Sequence, residues 1–204
     1  MAENCCQGKA ETLEKLKGQQ KRVLWMVLVI NGVMFAIEFI GGMKAGALSL
    51  TGDSLDMLGD ALVYSTSLYV LHKGKKAQAR SALLKGGIMF LSAIAVFARA
   101  TYQLFMGGVP DAHIISSIGL LALGANLICL FLLTRHRKDN INMSSVWLCS
   151  RNDIIANTSV LGAAGLVFLT NSPIPDLAIG LLLTIVFAKS AGKVLSQGWR
   201  ELQV

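Results

Sequence analysis

Six long apolar stretches alternate with short polar connections along this chain, at residues 22–44, 48–71, 82–106, 114–134, 143–169 and 176–195. Each holds about 20 residues or more, the length a helix rising about 1.5 Å per residue needs to cross a hydrocarbon core. Backbone polar groups in lipid must be satisfied within the segment, so apolar runs of this length predict helices rather than strands. The breaks are a basic loop at 72–80, Gly107-Gly-Val-Pro-Asp111, Arg135-His-Arg-Lys-Asp139 and Asn171-Ser-Pro-Ile-Pro175. In the last of these, two prolines bias their preceding residues away from helix and Asp176 can cap the helix that follows. The expected fold is all-α: a polytopic membrane protein with six transmembrane helices in one domain, 22–196, between a polar tail at 1–21 and a short tail at 197–204.

Composition agrees, because 53% hydrophobic residues against 15% charged and a mean hydropathy of +0.57 are too apolar for an ordinary soluble domain. In a bilayer protein the net charge of +7 speaks of orientation rather than nucleic-acid binding. Lys9, Lys15, Lys17, Lys21 and Arg22, then Lys73, Lys75, Lys76, Arg80 and Lys85, then Arg135, Arg137 and Lys138, then Lys189, Lys193 and Arg200 all fall on one side. The opposite connections carry Lys44 alone, which predicts both termini in the cytoplasm. The first twenty residues contain Glu3, Glu11 and Glu14 and no apolar core, so no cleaved signal peptide is expected. The four cysteines, Cys5, Cys6, Cys129 and Cys149, form no legible disulfide framework.

Charge inside the apolar runs carries the chemistry. On a helix Asp53 and Asp60 differ by about 20° and Asp56 lies about 60° from Asp53, so the three share a face. Carboxylates at bilayer depth are costly and point to a water-filled path or a bound cation. Asp56 and Asp60 are one turn apart, and Cys149 and Asp153 in the fifth run have the same spacing. The second and fifth helices are expected to be antiparallel. Asp60 then lies about twelve residues from the outer end of its helix and Asp153 about ten from the inner end of its own, so both fall near mid-bilayer. Two such pairs supply four ligands, which suit a tetrahedral divalent ion. Carboxylates alone would suit manganese, iron or magnesium too, whereas one thiolate shifts the balance toward zinc, then cadmium. The bland reading of Cys149 is a small apolar filler. Because these ligands bind metal only when deprotonated, loading releases protons, which is a direct coupling to proton antiport.

The same residues resemble a family. Ser49-Leu-Thr-Gly-Asp-Ser-Leu-Asp-Met-Leu-Gly-Asp60 is similar to the second-helix motif of the cation diffusion facilitators, and Cys149-Ser-Arg-Asn-Asp153 to their fifth-helix ligand pair. The resemblance covers all six spans and is nearest to a short bacterial subgroup. It implies a divalent-metal/proton antiporter of the bacterial inner membrane, with the metal on Asp56, Asp60, Cys149 and Asp153 and no resident cofactor. Where zinc members usually carry histidine, this chain has Asp56 and Cys149. The family's usual cytoplasmic C-terminal domain is not expected beyond Val204, so a homodimer would form through membrane helices.

Other polar residues have plainer alternatives. Asp53 suits either an access path or a helix-start role favoured by the dipole. Glu38 and Arg99, of opposite sign in the first and third spans, suggest a structural ion pair, with a proton path as the lesser reading. Asn31, Asn126 and Asn157 are expected to bond between helices, and Asn157, one turn from Asp153, to orient it. Arg151 points away from Asp153 and can snorkel. Cys5 and Cys6 suit weak cytoplasmic metal capture or no role. His72, His113 and His136 are expected to be solvated. Gly119, Gly124, Gly162 and Gly165 are expected at close helix contacts. Two rival functions remain: an intramembrane aspartyl protease using Asp60 and Asp153, suggested by Leu58-Gly59-Asp60 although Met57 replaces the required glycine, and a metal-binding membrane subunit without flux.

Overall fold

Gly46 and Ala47 suffice to reverse the chain between its first two apolar runs. Gly46 adopts φ +64°, a left-handed conformation that costs glycine nothing and a side chain about 1 kcal/mol or more. The computed structural model describes the backbone of residues 2–70, 75–137 and 141–202, and a narrower set of side chains. Within it the chain forms six helices: α1 Ala2–Ala45, α2 Leu48–Val70, α3 Lys75–Met106, α4 Ala112–Thr134, α5 Ile141–Thr170 and α6 Ile174–Leu202. The turn into α6 uses Asn171 at φ 49°, one of the few side chains tolerated there. No strand occurs among the described residues.

The helices outrun the apolar segments. α1 begins at Ala2, so the polar segment before residue 22 is continuous with the span, and α3 and α6 extend to Lys75 and Leu202. Segments of α1, α3, α4, α5 and α6 are long and apolar enough to cross a membrane. α2 is long enough at 23 residues, but Asp53, Asp56 and Asp60 interrupt its apolarity. Its surroundings account for this, because α2 packs against α1, α3, α5 and α6. The outward faces are apolar, with Phe105 82%, Phe131 80% and Leu169 78% exposed, while Asn31, Glu38, Asp53, Asn126, Asn157 and Asp176 are buried. That inversion fits a molecule whose surroundings are hydrocarbon.

Four apolar clusters hold the bundle. Leu55, Met89, Val96 and Phe187 join α2, α3 and α6; Leu50, Ile115, Val160 and Leu183 join α2, α4, α5 and α6. Val27, Tyr64 and Cys129 pack at one end of α1, α2 and α4, and Met34, Met57 and Ala122 lie between the same helices farther along.

The start of α2 is fixed by polar contacts from two other helices. Asp176 lies inside the first turn of α6 and does not serve α6 as its N-cap; its carboxylate accepts Leu48 N at 2.7 Å, Ser49 N at 3.0 Å and Ser49 Oγ at 2.5 Å. It therefore caps α2, satisfying amide groups a helix start leaves free. This approach needs Gly180, where an added Cβ would lie 2.5 Å from the Leu48 carbonyl carbon. From α3, Arg99 donates to the Gly42 carbonyl and the Thr51 hydroxyl, both at 2.8 Å, and the Gln103 amide donates to the Gly46 carbonyl.

Of the glycines expected at close contacts, Gly119 meets Leu161 of α5. Gly124, Gly162 and Gly165 face open space, because their azimuths turn them away from a neighbouring helix.

Candidate metal centre

α2 and α5 run antiparallel: Asp53 meets Asn157, and Asp60, farther along α2, meets Asp153, farther back on α5. The carboxyl groups of Asp60 and Asp153 are in hydrogen-bonding contact, and both residues are partly buried. Two carboxyl groups this close hold a shared proton or a shared cation, since both cannot stand ionised against each other without one. The Tyr64 hydroxyl, one turn beyond Asp60, donates to Asp60 Oδ2 at 2.5 Å. This orients the carboxylate. Asp56, also partly buried, lies within electrostatic reach of Asp60 and of Asp153.

The backbone of Cys149 is one helical turn before Asp153 in α5, but its side chain lies outside the described residues, as do those of Cys5 and Cys6 in α1. Among the described residues no three His, Cys, Asp or Glu side chains converge closely enough to hold a metal ion. Cys129 of α4, fully buried and with a free thiol, feels the charges of Asp153 and Asp60 and accepts the Asn31 amide at 3.8 Å. Sequence gave no reason to single it out, since an isolated cysteine in an apolar run reads as filler.

Three expected roles change. Asn157 does not orient the Asp153 carboxylate: its amide donates to the Asp153 backbone carbonyl at 3.0 Å and to Asp53 Oδ1 at 3.4 Å. The i,i+4 spacing presents the backbone carbonyl first, and the side chain then points to α2. Asp53 is thereby a buried contact between α2 and α5 rather than a helix-start charge. Glu38 and Arg99 do not pair. Arg99 is committed to Gly42 and Thr51, and both Glu38 carboxylate oxygens are buried without a hydrogen-bond partner among the described residues. Glu38 faces the acidic side of α2 instead, with Asp53, Asp56 and Asp153 as the charges acting on it.

In the N-terminal half of α5, Arg151 is exposed and its guanidinium lies 5.8 Å from the Trp147 ring, with Arg137 at 5.3 Å. Trp147 Nε1 donates to Thr134 Oγ1 at 3.0 Å, which ties α5 to the end of α4. His113 is exposed and edge-on to Phe168, His136 is buried rather than solvated, and His72 lies outside the described residues.

Residues 24–203 match the family model of the cation efflux transmembrane domain. The chain belongs to the cation efflux family. Among curated members, the zinc transporter ZitB of Pectobacterium atrosepticum is 25% identical over 201 residues, covering 91% of this chain and 62% of its own length. The zinc transporter ZitB of Yersinia pestis is 24% identical over 208 residues, covering 94% of this chain and 65% of its own length. An uncharacterised protein from the glgB 5′ region of Geobacillus stearothermophilus is 33% identical over 58 residues, or 28% of this chain and 54% of its own length. The chain thus spans a little under two thirds of both zinc transporters. Membership in the cation efflux family makes it a multi-pass membrane protein and leaves the protease reading without support.

Proposed function

We propose that this protein is a secondary transporter that exports a divalent metal cation from the cytoplasm, zinc first and cadmium next, by exchange for protons. It would work in the bacterial inner membrane with both termini cytoplasmic, as a homodimer held through membrane helices. The observation that carries the reading is the contact between Asp60 and Asp153 across two antiparallel helices of a cation efflux domain. Asp56, Asp60, Cys149 and Asp153 would hold the ion, the thiolate favouring a borderline-soft metal. The zinc transporters among the relatives support the same metal.

The chemistry of the centre couples the two fluxes. A cation between Asp60 and Asp153 displaces the proton that otherwise lies there, and protons returning from the far side eject the cation. Low pH on the loading side therefore weakens apparent zinc affinity, because ligand protonation competes with metal. In everted vesicles, zinc uptake and the accompanying proton movement are expected to vanish in Asp60→Ala and in Asp153→Ala. Unchanged uptake in either variant refutes the centre, and zinc binding without any flux in the wild type refutes transport. Cys149→Ser should lower zinc and cadmium uptake relative to manganese, and Cys149→His should restore zinc ahead of cadmium.

A further inference from the structure

We propose that Glu38, Asp53 and Asn157 form a second cation site, separate from the Asp60–Asp153 centre, that takes a hard divalent cation through oxygen atoms alone. The three side chains come from α1, α2 and α5 and are 0%, 1% and 0% exposed. Four of their oxygens, Glu38 Oε1 and Oε2, Asp53 Oδ2 and Asn157 Oδ1, are buried with no hydrogen-bond partner among the described residues. Buried polar atoms are paired in the great majority of cases, and an unpaired buried carboxylate is the costliest exception. Four orphan acceptors in one neighbourhood, with no orphan donor among these three side chains, call for a positive ligand.

Their arrangement supports convergence. Asp53 is the strongest charge acting on Glu38, ahead of Asp56 and Asp153. Asn157 is joined directly to Asp53 at 3.4 Å. The Asn157 amide nitrogen is spent on Asp53 Oδ1 and the Asp153 carbonyl, so Oδ1 is the atom it has left to offer. Arg99, the one oppositely charged side chain at comparable depth in α3, is occupied by Gly42 and Thr51.

Protonation of a carboxyl here would remove charge but leave most of these acceptors unused. A divalent cation balances two carboxylates and engages all three side chains, with waters completing its shell. The set contains no thiol or imidazole, so it selects an oxygen-seeking ion such as Mg²⁺, Ca²⁺ or Mn²⁺ over a thiophilic one. This assignment does not depend on which cation Asp60 and Asp153 carry.

The test uses the full chain in detergent with Mn²⁺ as the probe, free Mn²⁺ being read by its electron paramagnetic resonance signal. A chain carrying Asp60→Asn and Asp153→Asn is expected to keep one Mn²⁺ per molecule. Adding Glu38→Gln or Asp53→Asn should weaken that Mn²⁺ at least tenfold. Absence of Mn²⁺ binding in the starting chain, or binding indifferent to both added substitutions, overturns the site. Should the added substitutions cost the chain its helical circular dichroism, Asn157→Ala in the Asp60→Asn, Asp153→Asn chain keeps Glu38 and Asp53 and reads the same loss. Failure here leaves the zinc flux of the Asp60–Asp153 centre untouched, so the two readings fail separately.

Discussion

Tyr64 makes one hydrogen bond that matters to the centre, and the size of that bond sets what its loss should do. A net hydrogen bond of about 0.5–1.5 kcal/mol corresponds to roughly a 2- to 10-fold change in an equilibrium. Tyr64→Phe keeps the ring packed with Val27 and Cys129 and removes the hydroxyl from Asp60. The expected outcome is zinc uptake with a KM raised about 2- to 10-fold and normal yield of folded protein, measured in vesicles. A complete loss of transport would mean that Tyr64 does more than aim the carboxylate.

At the same scale, the pairing of Asp60 with Asp153 was legible in the sequence because helical spacing and antiparallel depth are both counted along the chain. Partnerships that depend on azimuth were not. Glu38 and Arg99 have complementary charge, yet the Arg99 guanidinium found the Gly42 carbonyl and the Thr51 hydroxyl. Asp176 looked like the cap of its own helix because capping is read from neighbours in sequence, whereas the amides it serves begin at Leu48.

Among the helices, α2 leans heavily on its neighbours, because three carboxylates interrupt its apolar run and the spans that are apolar enough to cross a membrane lie in the other helices. Its first turn is held by Asp176 of α6 and by the closeness that Gly180 allows. Asp176→Ala leaves the Leu48 and Ser49 amides and the Ser49 hydroxyl unpaired and is expected to cost about 2 kcal/mol or more. Gly180→Val should cost at least as much, since its side chain would press on the Leu48 backbone. Thermal unfolding in detergent at a fixed scan rate checks both, and a melting temperature equal to wild type for Asp176→Ala would contradict the clamp. Helix count and type were readable from the apolar runs. Their ends were not, since the polar extensions of α1 and α3 are built of Ala, Lys, Gln, Glu and Leu, good helix formers that carry no hydropathy signal.

For the whole molecule, orientation is the property on which the proposed direction of transport rests. On the proposed orientation, read from the distribution of Lys and Arg, Cys5, Cys6 and the C-terminus would face the cytoplasm. In everted vesicles, where that side faces outward, a membrane-impermeant maleimide should label Cys5 and Cys6 without detergent, with a Cys5→Ser, Cys6→Ser chain as the blank. Labelling only in right-side-out vesicles would invert the proposed direction of transport.

The clamp at Leu48 and Ser49 also sets a geometry of leverage. Held at its first turn, α2 has a pivot there, and the opening produced by a given tilt of α5 against it grows with distance from that point. Asp53 lies five residues from Leu48 and Asp60 twelve, or about 7 Å and 18 Å along the axis. A tilt of about 10° therefore separates the helices by about 1 Å at Asp53 and about 3 Å at Asp60. Such a stroke opens the Asp60–Asp153 contact more than twice as far as the Asp53–Asn157 contact, so one small rotation about the clamped end acts mainly on the pair farther from it.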